Sequence, residues 1–564
     1  MTVLIVISIY LALLLGLGLF SGKQSRGTSK DYFVASHSIG PFLLLMSVFG
    51  TTMTAFALVG STGKAFERGI GVYGLMASIS GLVHVICFFA IGIRLWSYGM
   101  KHGFVTQIQF FRSRFDSNAI GYVLFPILVG LVIPYLLIGV IGAGKTILPV
   151  TAGAFPEAFP NANPLWTGGI PPWLSGLGIC IIVLAYVFAG GSRGAAWANT
   201  FQTLVFMAMG VVAFTLIVKA LGGVEQASKV PITVNENGLL VQNYGIVEQE
   251  DGSSKVEKLA TPLVRGKIRD ADPSLAGYQP HLGRKVLEMD YKARTPGSGE
   301  LVDQSRELGV PPWMFLTYLF IPLSVGMFPH LFQHWLTARS ANTFKLTLIA
   351  HPICIMVVWV PCVLIGAWAT GLVPPGVPPA AVLSKMMADL VSNQVLTGLL
   401  TAGVLAAIMS SLDSQFLCLG TMFTNDIVLH KVGQDRFTDK QTIWIARGFI
   451  IGIVALTYVL SLWAANKNVF DLAVWCFSGF AMLTPLVFAA LYWKRATTAG
   501  AFASIIVGTL TWIVFFVLAG GSEYTVGPGI MPVTFCVLAS TVAMIVVSLA
   551  TKPPSEATLN KFFG

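Results

Sequence analysis

The chain has 564 residues, of which 55% are hydrophobic and only 11% are charged, and its mean hydropathy is +0.76. A soluble protein carries about 25% charged residues, so a soluble enzyme of this composition is excluded. The net charge of +10 would suit a nucleic-acid-binding protein only as a basic patch. The basic residues are instead spread over short loops. The composition therefore predicts an all-α polytopic membrane protein in a lipid bilayer, with no nucleic-acid partner.

Thirteen apolar segments are long enough to cross about 30 Å of hydrocarbon as helices. They lie at 2–20, 41–62, 72–97, 117–148, 172–190, 195–220, 312–335, 344–371, 392–424, 440–463, 467–493, 498–519 and 527–550. The first is not a cleaved signal peptide, because Lys23, Arg26 and Lys30 follow the apolar run instead of preceding it. We therefore expect thirteen transmembrane helices, with an extra N-terminal helix in 1–22 and two C-terminal helices and a short tail in 494–564.

Residues 221–311 form a polar insert that holds 24 of the 60 charged residues. Two β-prone runs around Asn237 and Gly238 predict a hairpin. Residues 249–254 and 295–300 have the composition of loops. We expect a small folded element without an activity of its own.

The short loops indicate the orientation, because Lys and Arg are enriched on the cytoplasmic side. With the N-terminus outside, the inner loops and tail carry sixteen Lys and Arg, and the outer short loops carry four. We therefore expect a multi-pass protein of the plasma (inner) membrane. Its N-terminus and the 221–311 insert lie outside, and its C-terminus is cytoplasmic.

Two of the predicted spans contain residues that interrupt a helix. Residues 48–55 include a glycine and three threonines, and residues 321–329 include two prolines and a glycine. Freed backbone is tolerated at membrane depth only where protein or a cavity satisfies it. A proline kink would account for one break. Paired breaks, each in the first helix of a five-helix block (41–220 and 312–493), predict a 5+5 inverted-repeat transporter with a site near the bilayer midplane.

A polar stripe lies on the long apolar segment 392–424. Ala407, Ser410, Ser411 and Ser414 share one helix face, and Asp413 stands at its edge. Hydroxyl and carboxylate oxygens suit a hard cation. Serine hydroxyls can also bond back to their own helix, but a carboxylate at mid-membrane costs about 2.5–3.5 kcal/mol on insertion scales and should be paired or functional.

These residues carry a family resemblance. Residues 406–415, Ala-Ala-Ile-Met-Ser-Ser-Leu-Asp-Ser-Gln, followed by Thr-Asn-Asp-Ile at 424–427, resemble the signature of the sodium:solute symporter family. Three further segments are similar to motifs of that family: 106–115, 190–202 and 326–333. The resemblance extends over almost the whole chain apart from the insert. It implies a LeuT-like core of two inverted five-helix repeats that couples inward sodium flow to uptake of a small organic solute.

The resemblance also implies the main sodium site. Carried over residue by residue, its ligands are the carbonyls of Gly50, Met53 and Ala407 and the hydroxyls of Ser410 and Ser411. Sodium is the expected coupling ion, and no other metal is expected. The chain shows no nucleophile–base pair, phosphate loop or zinc spacing, so we expect no enzyme activity. We expect the monomer to be the functional unit.

Two departures from the family pattern concern charge. Some members have an aspartate where this chain has Thr52, and many read Trp-Thr-Asp where this chain reads Trp-Ala-Asn, ending at Asn199. We hypothesise that the carboxylate has moved across the site, so that Asn199, Asp413 and Ser414, with Ser410, surround a second cation. In the alternative interpretation, Asp413 only accepts hydrogen bonds from neighbouring helices.

The solute is expected to contact both broken helices and the late helix of the second repeat. The candidate residues are Thr51, Thr54, Phe56, Ser324, Phe328, Trp475 and Phe477. The aromatic members of this set could equally serve packing. Sugars, amino acids, vitamins and monocarboxylates all remain open.

Other polar residues inside the apolar segments have simpler explanations. His330 and His334 are spaced i, i+4 without an acidic partner, and we expect a structural or gating role for them. His84 is interpreted as an interior histidine with satisfied hydrogen bonds. Arg94 and Lys145 lie near helix ends, where long side chains reach toward the interface.

A solute-binding membrane sensor without net transport is the alternative function. Such proteins usually append a cytoplasmic signalling module, whereas only fourteen residues follow position 550 here. A sodium or anion channel is disfavoured by the paired broken helices.

Overall fold

The computed structural model describes residues 1–23, 27–250, 254–294, 299–433 and 436–564. Most of them are helical. The helices before the insert are α1 (Thr2–Lys23), α2 (Ser29–Val34), α3 (Pro41–Thr52), α4 (Ser61–Arg68), α5 (Gly71–Tyr73), α6 (Ile79–Cys87), α7 (Ile93–His102), α8 (Gln107–Arg114), α9 (Asn118–Val150), α10 (Pro172–Ala220) and α11 (Val224–Ala227). π-Helical turns at Phe56–Gly60, Gly74–Ser78 and Phe88–Gly92 lead into α4, α6 and α7.

The second half of the chain repeats this helical character. Its helices are α12 (Pro312–Thr317), α13 (Pro329–Thr337), α14 (Phe344–Ala369), α15 (Val382–Leu390), α16 (Gln394–Met422), α17 (His430–Val432), α18 (Asp439–Trp463), α19 (Val469–Ala481), α20 (Thr484–Tyr492), α21 (Thr498–Ala519), α22 (Pro532–Ala550) and α23 (Glu556–Phe563). A 3₁₀ segment at Tyr318–Met327 continues α12, and a π-helical segment at Phe423–Leu429 continues α16.

Ten helices of the described chain are long and apolar enough to cross a membrane, and the number rises to as many as twelve when two bent pairs each count as one span. The fifth and sixth predicted spans both lie within α10, which has 49 residues. Two helices meet there at a kink, because Gly191 has non-helical dihedral angles (φ 54°, ψ −151°). A Cβ there would lie 2.9 Å from the Tyr32 carbonyl oxygen, so the turn requires glycine.

Both predicted helix breaks are present. Pro41–Thr52 and Phe56–Arg68 meet at 53°, and Pro312–Met327 and Pro329–Thr337 also meet at 53°. Each second half begins where a residue leaves the helical region, as at Phe328 (φ −65°, ψ 117°) before a proline. The two breaks therefore arise from local residue chemistry at matching places in the two halves of the chain.

Helix α16 occupies the centre of the helical core. Every residue from Leu400 to Met422 is buried, and the helix packs against α1, α3, α9, α10 and α18. Small residues permit this packing, since a Cβ on Gly403 would lie 2.5 Å from the Met209 side chain, and one on Gly398 would lie 2.8 Å from Val6. The polar stripe is thereby held in a water-poor position between several helices.

The insert folds as a five-stranded antiparallel sheet in sequential order. Its strands are β1 (Thr233–Val234), β2 (Leu239–Glu248), β3 (Ser254–Ile268), β4 (Leu287–Arg294) and β5 (Leu301–Leu308). The hairpin predicted at Asn237-Gly238 is confirmed, because Val234 pairs with Leu240 across that turn. The predicted loops fall partly outside the described residues, at 251–253 and 295–298. Apolar side chains, among them Leu240, Ile268 and Met289, give the sheet its own small core.

The insert and the start of α1 lie at the same end of the helical core. The Ser254 amide donates to Ser392 Oγ at 2.9 Å just before α16, and α16 then packs against α1 close to its first residues, at Gly398. At the opposite end, Lys561 Nζ of α23 donates to Ser113 Oγ at 2.6 Å. Helix α9 begins near that contact and ends beside the insert. The two termini thus lie at opposite ends of the core.

The insert also docks on the second half of the first broken span. The Ile70 amide donates to the His281 carbonyl at 2.7 Å, and Arg68 Nη1 donates to Glu307 Oε2 at 2.6 Å. Gly69 has φ 95°, and a Cβ there would lie 2.8 Å from the His281 carbonyl oxygen. The sheet is therefore attached directly to the end of the first broken span.

His281 makes this docking sensitive to acid. Burial, and after it the charge of Arg306, lowers the pKa of His281 to about 3, whereas an unperturbed histidine has a pKa of about 6.5. Between these values the unfolded chain binds more protons than the folded chain, so stability is lost as pH falls through this window. In detergent, we expect the unfolding temperature to fall between about pH 7.5 and about pH 5, and to fall less in His281→Gln. An equal fall in both proteins would contradict this assignment.

Candidate ion and solute site

The first break exposes backbone close to α16. At Met53 (φ −88°, ψ 84°) the chain leaves the helix, while its amide still donates to the Phe49 carbonyl at 3.0 Å. The Phe56 amide donates to Thr54 Oγ1 at 3.0 Å and starts the next helical turn. The short interruption is thus stabilised by a threonine side chain, as threonine commonly does at a helix start.

Three of the five predicted main-site sodium ligands meet beside this break. Ser410 Oγ lies 2.8 Å from the Gly50 carbonyl oxygen and 2.9 Å from the Ala407 carbonyl oxygen. All three residues are buried. A Cβ on Gly50 would lie 2.3 Å from Thr203 Oγ1, so glycine is what allows α3 to approach α10 this closely.

The other two predicted ligands stand apart from this contact. The Ser411 hydroxyl donates to the Ile408 carbonyl of its own helix at 2.9 Å. Met53 lies at the bend, three residues after Gly50, and has no hydrogen bond to Ser410 in the described part of the chain. The donor set nevertheless fits sodium, because it consists of neutral carbonyl and hydroxyl oxygens, which hard cations prefer. A hydroxyl can turn its proton away and offer its oxygen as a ligand.

The predicted second-cation residues also come together. Asp413 is fully buried and accepts a hydrogen bond from Tyr186 Oη at 3.0 Å and one from Ser414 Oγ at 3.0 Å. The Asn199 amide nitrogen, oriented toward the carboxylate, lies 3.0 Å from both Asp413 oxygens. His334 Nε2 lies 2.9 Å from Ser414 Oγ. Among the described residues, no Lys or Arg forms an ion pair with Asp413.

Two members of this cluster, Tyr186 and His334, were not predicted from the sequence to lie beside Asp413. Tyr186 and Asn199 both lie on α10, but Gly191 interrupts the helix between them, so no helical spacing relates the two side chains. His334 was expected to be structural or gating, and it contacts Ser414 across eighty residues of sequence. Only tertiary packing brings these groups to the carboxylate.

An aromatic cluster joins the two breaks. It consists of Phe56, Tyr135, Phe328, His330 and Phe477. The ring of Phe477 lies 5.0 Å from Phe56, 5.0 Å from Tyr135 and 5.5 Å from Phe328 between centroids, and the His330 ring stacks on Phe328 at 5.2 Å. Three of the predicted solute contacts, Phe56, Phe328 and Phe477, therefore meet, and Tyr135 and His330 are additions that the sequence did not indicate.

Polar side chains near the two bends differ in whether they have a hydrogen-bond partner. Thr54 is used in the helix start, and Ser324 is buried in the 3₁₀ segment. Thr51 Oγ1 and both ring nitrogens of His330 are buried without a hydrogen-bond partner in the described chain. Leaving such a group unsatisfied costs about 1–3 kcal/mol. A bound solute or water would supply the missing partners.

Trp475 stands apart from the other aromatic residues that are predicted to contact the solute. Its indole N–H donates to the Ser522 carbonyl at 2.8 Å, and its ring packs against Trp512 and Phe516 of α21. Trp475 and Phe477 are two residues apart, so a helix turns them about 200° away from each other. Trp475 therefore packs against the C-terminal helices.

His84 is satisfied, as predicted. It is buried, and its Nδ1 lies 3.1 Å from Nε2 of His351 on α14. The two imidazoles can share one hydrogen bond while both are neutral. This contact gives His84 a partner, whereas Nδ1 of His351 is buried without one in the described chain.

An ion-pair cluster lies at the insert end of the first broken span. Lys64 of α4 is buried, and its ammonium lies 3.1 Å from Asp471 and 3.9 Å from Glu67, and it also pairs with Glu523. Arg68 Nη2 pairs with Glu523 at 3.2 Å. Burial raises the pKa of Glu523, but Lys64 and Arg68 outweigh this effect and lower it overall. The cluster thus ties α4 to α19 and to the loop between α21 and α22.

On the opposite side, two motifs of the family signature meet. Asp426 is buried and pairs with Arg112 Nη1 at 3.5 Å, and it accepts a hydrogen bond from Thr106 Oγ1 at 2.9 Å. The Gln107 amide nitrogen donates to the Met327 carbonyl at the second break, at 3.2 Å. Helix α8 therefore links the end of α16 to the second broken span.

Comparison with known proteins gives one family over most of the chain. The sequence profile of the sodium:solute symporter family matches residues 32–154 and 169–508. The chain is 25% identical to sodium/proline symporter 2 of Staphylococcus saprophyticus, with 98% of this chain and 93% of that protein covered. It is 24% identical to a sodium/proline symporter of Staphylococcus aureus, with 99% and 95% covered.

Solved structures show the same fold. A sodium-coupled sialic acid symporter in a substrate-bound outward-open state is 16% identical and superposes with a TM-score of 0.68, covering 98% of each chain. A nucleobase-cation-symport-1 family transporter in a closed conformation is 13% identical with a TM-score of 0.51, covering 94% of this chain and 97% of the other. The fold is therefore that of LeuT-like transporters.

The contact between Ser410 and the first break predicts a measurable sodium effect. We expect sodium to raise the unfolding temperature of the purified protein, because an ion that binds only the folded state stabilises it. Replacing Ser410 with alanine removes one ligand, and we expect the half-effective sodium concentration to rise about tenfold. Ser504→Ala is the control, since Ser504 bonds to Ser540 between α21 and α22. An unchanged sodium response in Ser410→Ala would argue against this site.

Proposed function

Because the chain belongs to the sodium:solute symporter family, we propose that it imports a small organic solute together with sodium by alternating access. Its relatives are sodium-coupled secondary transporters and not enzymes. The observation that carries the proposal is the contact of Ser410 with the Gly50 and Ala407 carbonyls, because it places a sodium-type donor set at a helix break. The monomer suffices as the functional unit, since one chain supplies both breaks and α16.

The sodium gradient can drive such uptake without ATP. One charge that moves inward through 100 mV releases about 2.3 kcal/mol, and a tenfold concentration gradient adds about 1.4 kcal/mol. Together these terms sustain a solute ratio of several hundred for one sodium per cycle.

We propose thirteen transmembrane helices arranged as an extra N-terminal helix, repeats at 41–220 and 312–493, and two C-terminal helices. The equal 53° bends in the first span of each repeat support this division. Counting α10 as two spans on either side of Gly191 gives the odd number. An odd number agrees with termini at opposite ends of the core. The bias of Lys and Arg places the N-terminus and the insert outside and the C-terminus in the cytoplasm of a cell whose plasma membrane holds the protein.

For the solute, a compact amino or imino acid is the first candidate. Two relatives are named for proline, and the aromatic cluster offers apolar faces of suitable size to a small ring. Thr51 and His330 supply unpaired polar groups next to that cluster. Sugars, vitamins and monocarboxylates are the other solutes to test.

Opening toward the outside requires the outer ion-pair cluster to separate. Lys64 and Arg68 belong to the outer half of the first broken span, whereas Asp471 lies on α19 and Glu523 lies in the loop after α21. Rocking one helix bundle against the other would break these contacts and open a path to the aromatic cluster. Bound sodium then favours the outward-open state if sodium binds that state more tightly.

We also propose a second cation at Asn199, Asp413 and Ser414. The buried carboxylate lacks an ion-pair partner in the described chain, and a cation would neutralise it. Hydrogen bonds from Tyr186 and Asn199 support the alternative in which Asp413 needs no ion. Sodium dependence distinguishes the two interpretations.

Uptake into proteoliposomes tests the main proposal. We expect labelled proline, or another member of a panel of amino acids, sugars, vitamins and monocarboxylates, to accumulate only under an inward sodium gradient. A negative interior potential should increase accumulation, because sodium carries charge inward. Binding of a solute without accumulation under any gradient would support the membrane sensor instead.

The second cation predicts the shape of the sodium dependence. We expect a Hill coefficient above one for sodium-driven uptake by the natural protein, and a value of about one in Asp413→Asn, because one of two ions is lost. Asp389→Asn is the control, since Asp389 pairs with Lys385 on α15, away from this cluster. A Hill coefficient of about one that Asp413→Asn leaves unchanged would refute the second site.

A further inference from the structure

A cavity of about 490 Å³ opens at the insert end of the helical core, away from both helix breaks. Its walls come from α9, the start of α10, the end of α18 and the insert. Lys145 of α9 and Arg294 of β4 line it together with Trp166, Trp173 and Asn466. A volume between about 300 and 1,000 Å³ is typical of small-molecule sites.

The charge in this cavity is positive and uncompensated. Its lining contains Lys145 and Arg294 and no aspartate or glutamate. In the described part of the chain, the Lys145 ammonium has no hydrogen bond or ion pair, and the Arg294 guanidinium donates to the Gly299 carbonyl at 2.8 Å without an acidic partner. Lys64, by contrast, lies within 4 Å of three carboxylates.

The neutral polar groups of the cavity add donors to this charge. Asn161 Oδ1 accepts from the Asn163 amide at 2.9 Å, and Asn163 Oδ1 accepts from the Leu165 amide at 3.2 Å. Because both side-chain oxygens are engaged, the two NH₂ groups remain as donors. Cations and amide donors without a carboxylate form an environment that is complementary to an anion.

We propose that this cavity binds an anionic group, a carboxylate or a phosphate, with Lys145 and Arg294 as its charged partners. The guanidinium offers paired donors to such a group, and the ammonium offers a point charge. The group has two possible sources. It can belong to a small anion from the outer solution or to a lipid headgroup, because Trp173 and Leu462 at the cavity wall are 51% and 47% exposed.

The cavity wall and the outer ion-pair cluster are also close to each other in the sequence. Leu462 lies in the last turn of α18, and Asn466 lies in the short loop before α19, which carries Asp471. The loop residues Gly376 and Pro378 complete the wall before α15. An anion in the cavity would therefore contact segments that adjoin the moving parts of the proposed transport cycle. The anion site does not depend on that cycle, and binding to the purified protein tests it separately.

The test uses the full chain and two kinds of probe. Inorganic phosphate and acetate are titrated onto protein in detergent at constant sodium and ionic strength, with chloride as the replaced anion, and the unfolding temperature reports binding. In parallel, the protein is reconstituted into nanodiscs of phosphatidylcholine with or without phosphatidylglycerol. We expect at least one probe to stabilise the natural protein.

Variants assign the effect to the cavity. We expect Lys145→Gln and Arg294→Gln each to weaken binding of the effective probe about tenfold, as loss of one charge-assisted hydrogen bond implies, and Lys145→Arg to retain it. Lys467→Gln is the control, because Lys467 is an outer lysine that donates to the Gly520 carbonyl. Arg294 lies on the insert, so its variant keeps the test valid if Lys145→Gln fails to fold.

The outcomes separate the two sources and the failure of the proposal. A variant-sensitive response to phosphate or acetate in detergent supports a soluble anion, and one confined to phosphatidylglycerol supports a lipid headgroup. The proposal is overturned by no response to any probe, or by a response that Lys145→Gln and Arg294→Gln leave unchanged.

Discussion

The core of this protein depends on satisfying backbone that a helix break sets free inside hydrocarbon. A carbonyl without a partner is costly there, and the Gly50 carbonyl finds one in the Ser410 hydroxyl. Because α16 is buried on all sides from Leu400 to Met422, this bond fixes the first bend relative to α1, α9, α10 and α18. A hydroxyl can exchange its hydrogen-bond partner, so the same oxygens can also bind a cation.

The polar stripe of α16 reaches both broken spans. Ser410 contacts the first break, and Ser414, one helical turn later, contacts His334 in the second half of the other broken span. Asp413 links this turn to α10 through Tyr186. A change at any one of these contacts alters hydrogen bonds on the same helix face. The two broken spans are therefore connected through a single buried helix, and an ion bound at the proposed site would alter contacts to both breaks.

The parts of the structure that the sequence predicts well are those set by local chemistry. Glycine and threonine indicate the first break, and proline and glycine indicate the second. Apolar runs indicate the spans, Asn237-Gly238 indicates the hairpin, and helical spacing places Ser410 on the polar face of α16. Contacts between residues that are far apart in the sequence cannot be predicted in this way. Lys64 and Asp471 are separated by 407 residues, and no periodicity links Tyr186 to Asp413. Trp475 and Phe477 are both predicted solute contacts because they lie on the late helix of the second repeat, but helix geometry turns the two side chains apart.

Because charged residues are scarce in this chain, the partner of each buried charge helps to indicate its role. In a chain with 11% charged residues, most buried charges have a visible partner: Lys64 has three carboxylates, Asp426 has Arg112, and Asp31 has Arg193. Among the described residues, Asp413 and Arg114 are buried without an ion pair. Arg114 donates instead to the Ala490 and Trp493 carbonyls, at 2.8 and 3.1 Å. The partly buried Lys145 has no hydrogen bond or ion pair in the described chain. A membrane protein keeps groups such as Asp413 and Lys145 at a cost, so a mobile partner is the physical reason to retain them. Because Asp413 and Lys145 have opposite signs and separate surroundings, the two partners that we propose for them differ: a cation beside α16 and an anion beside the insert.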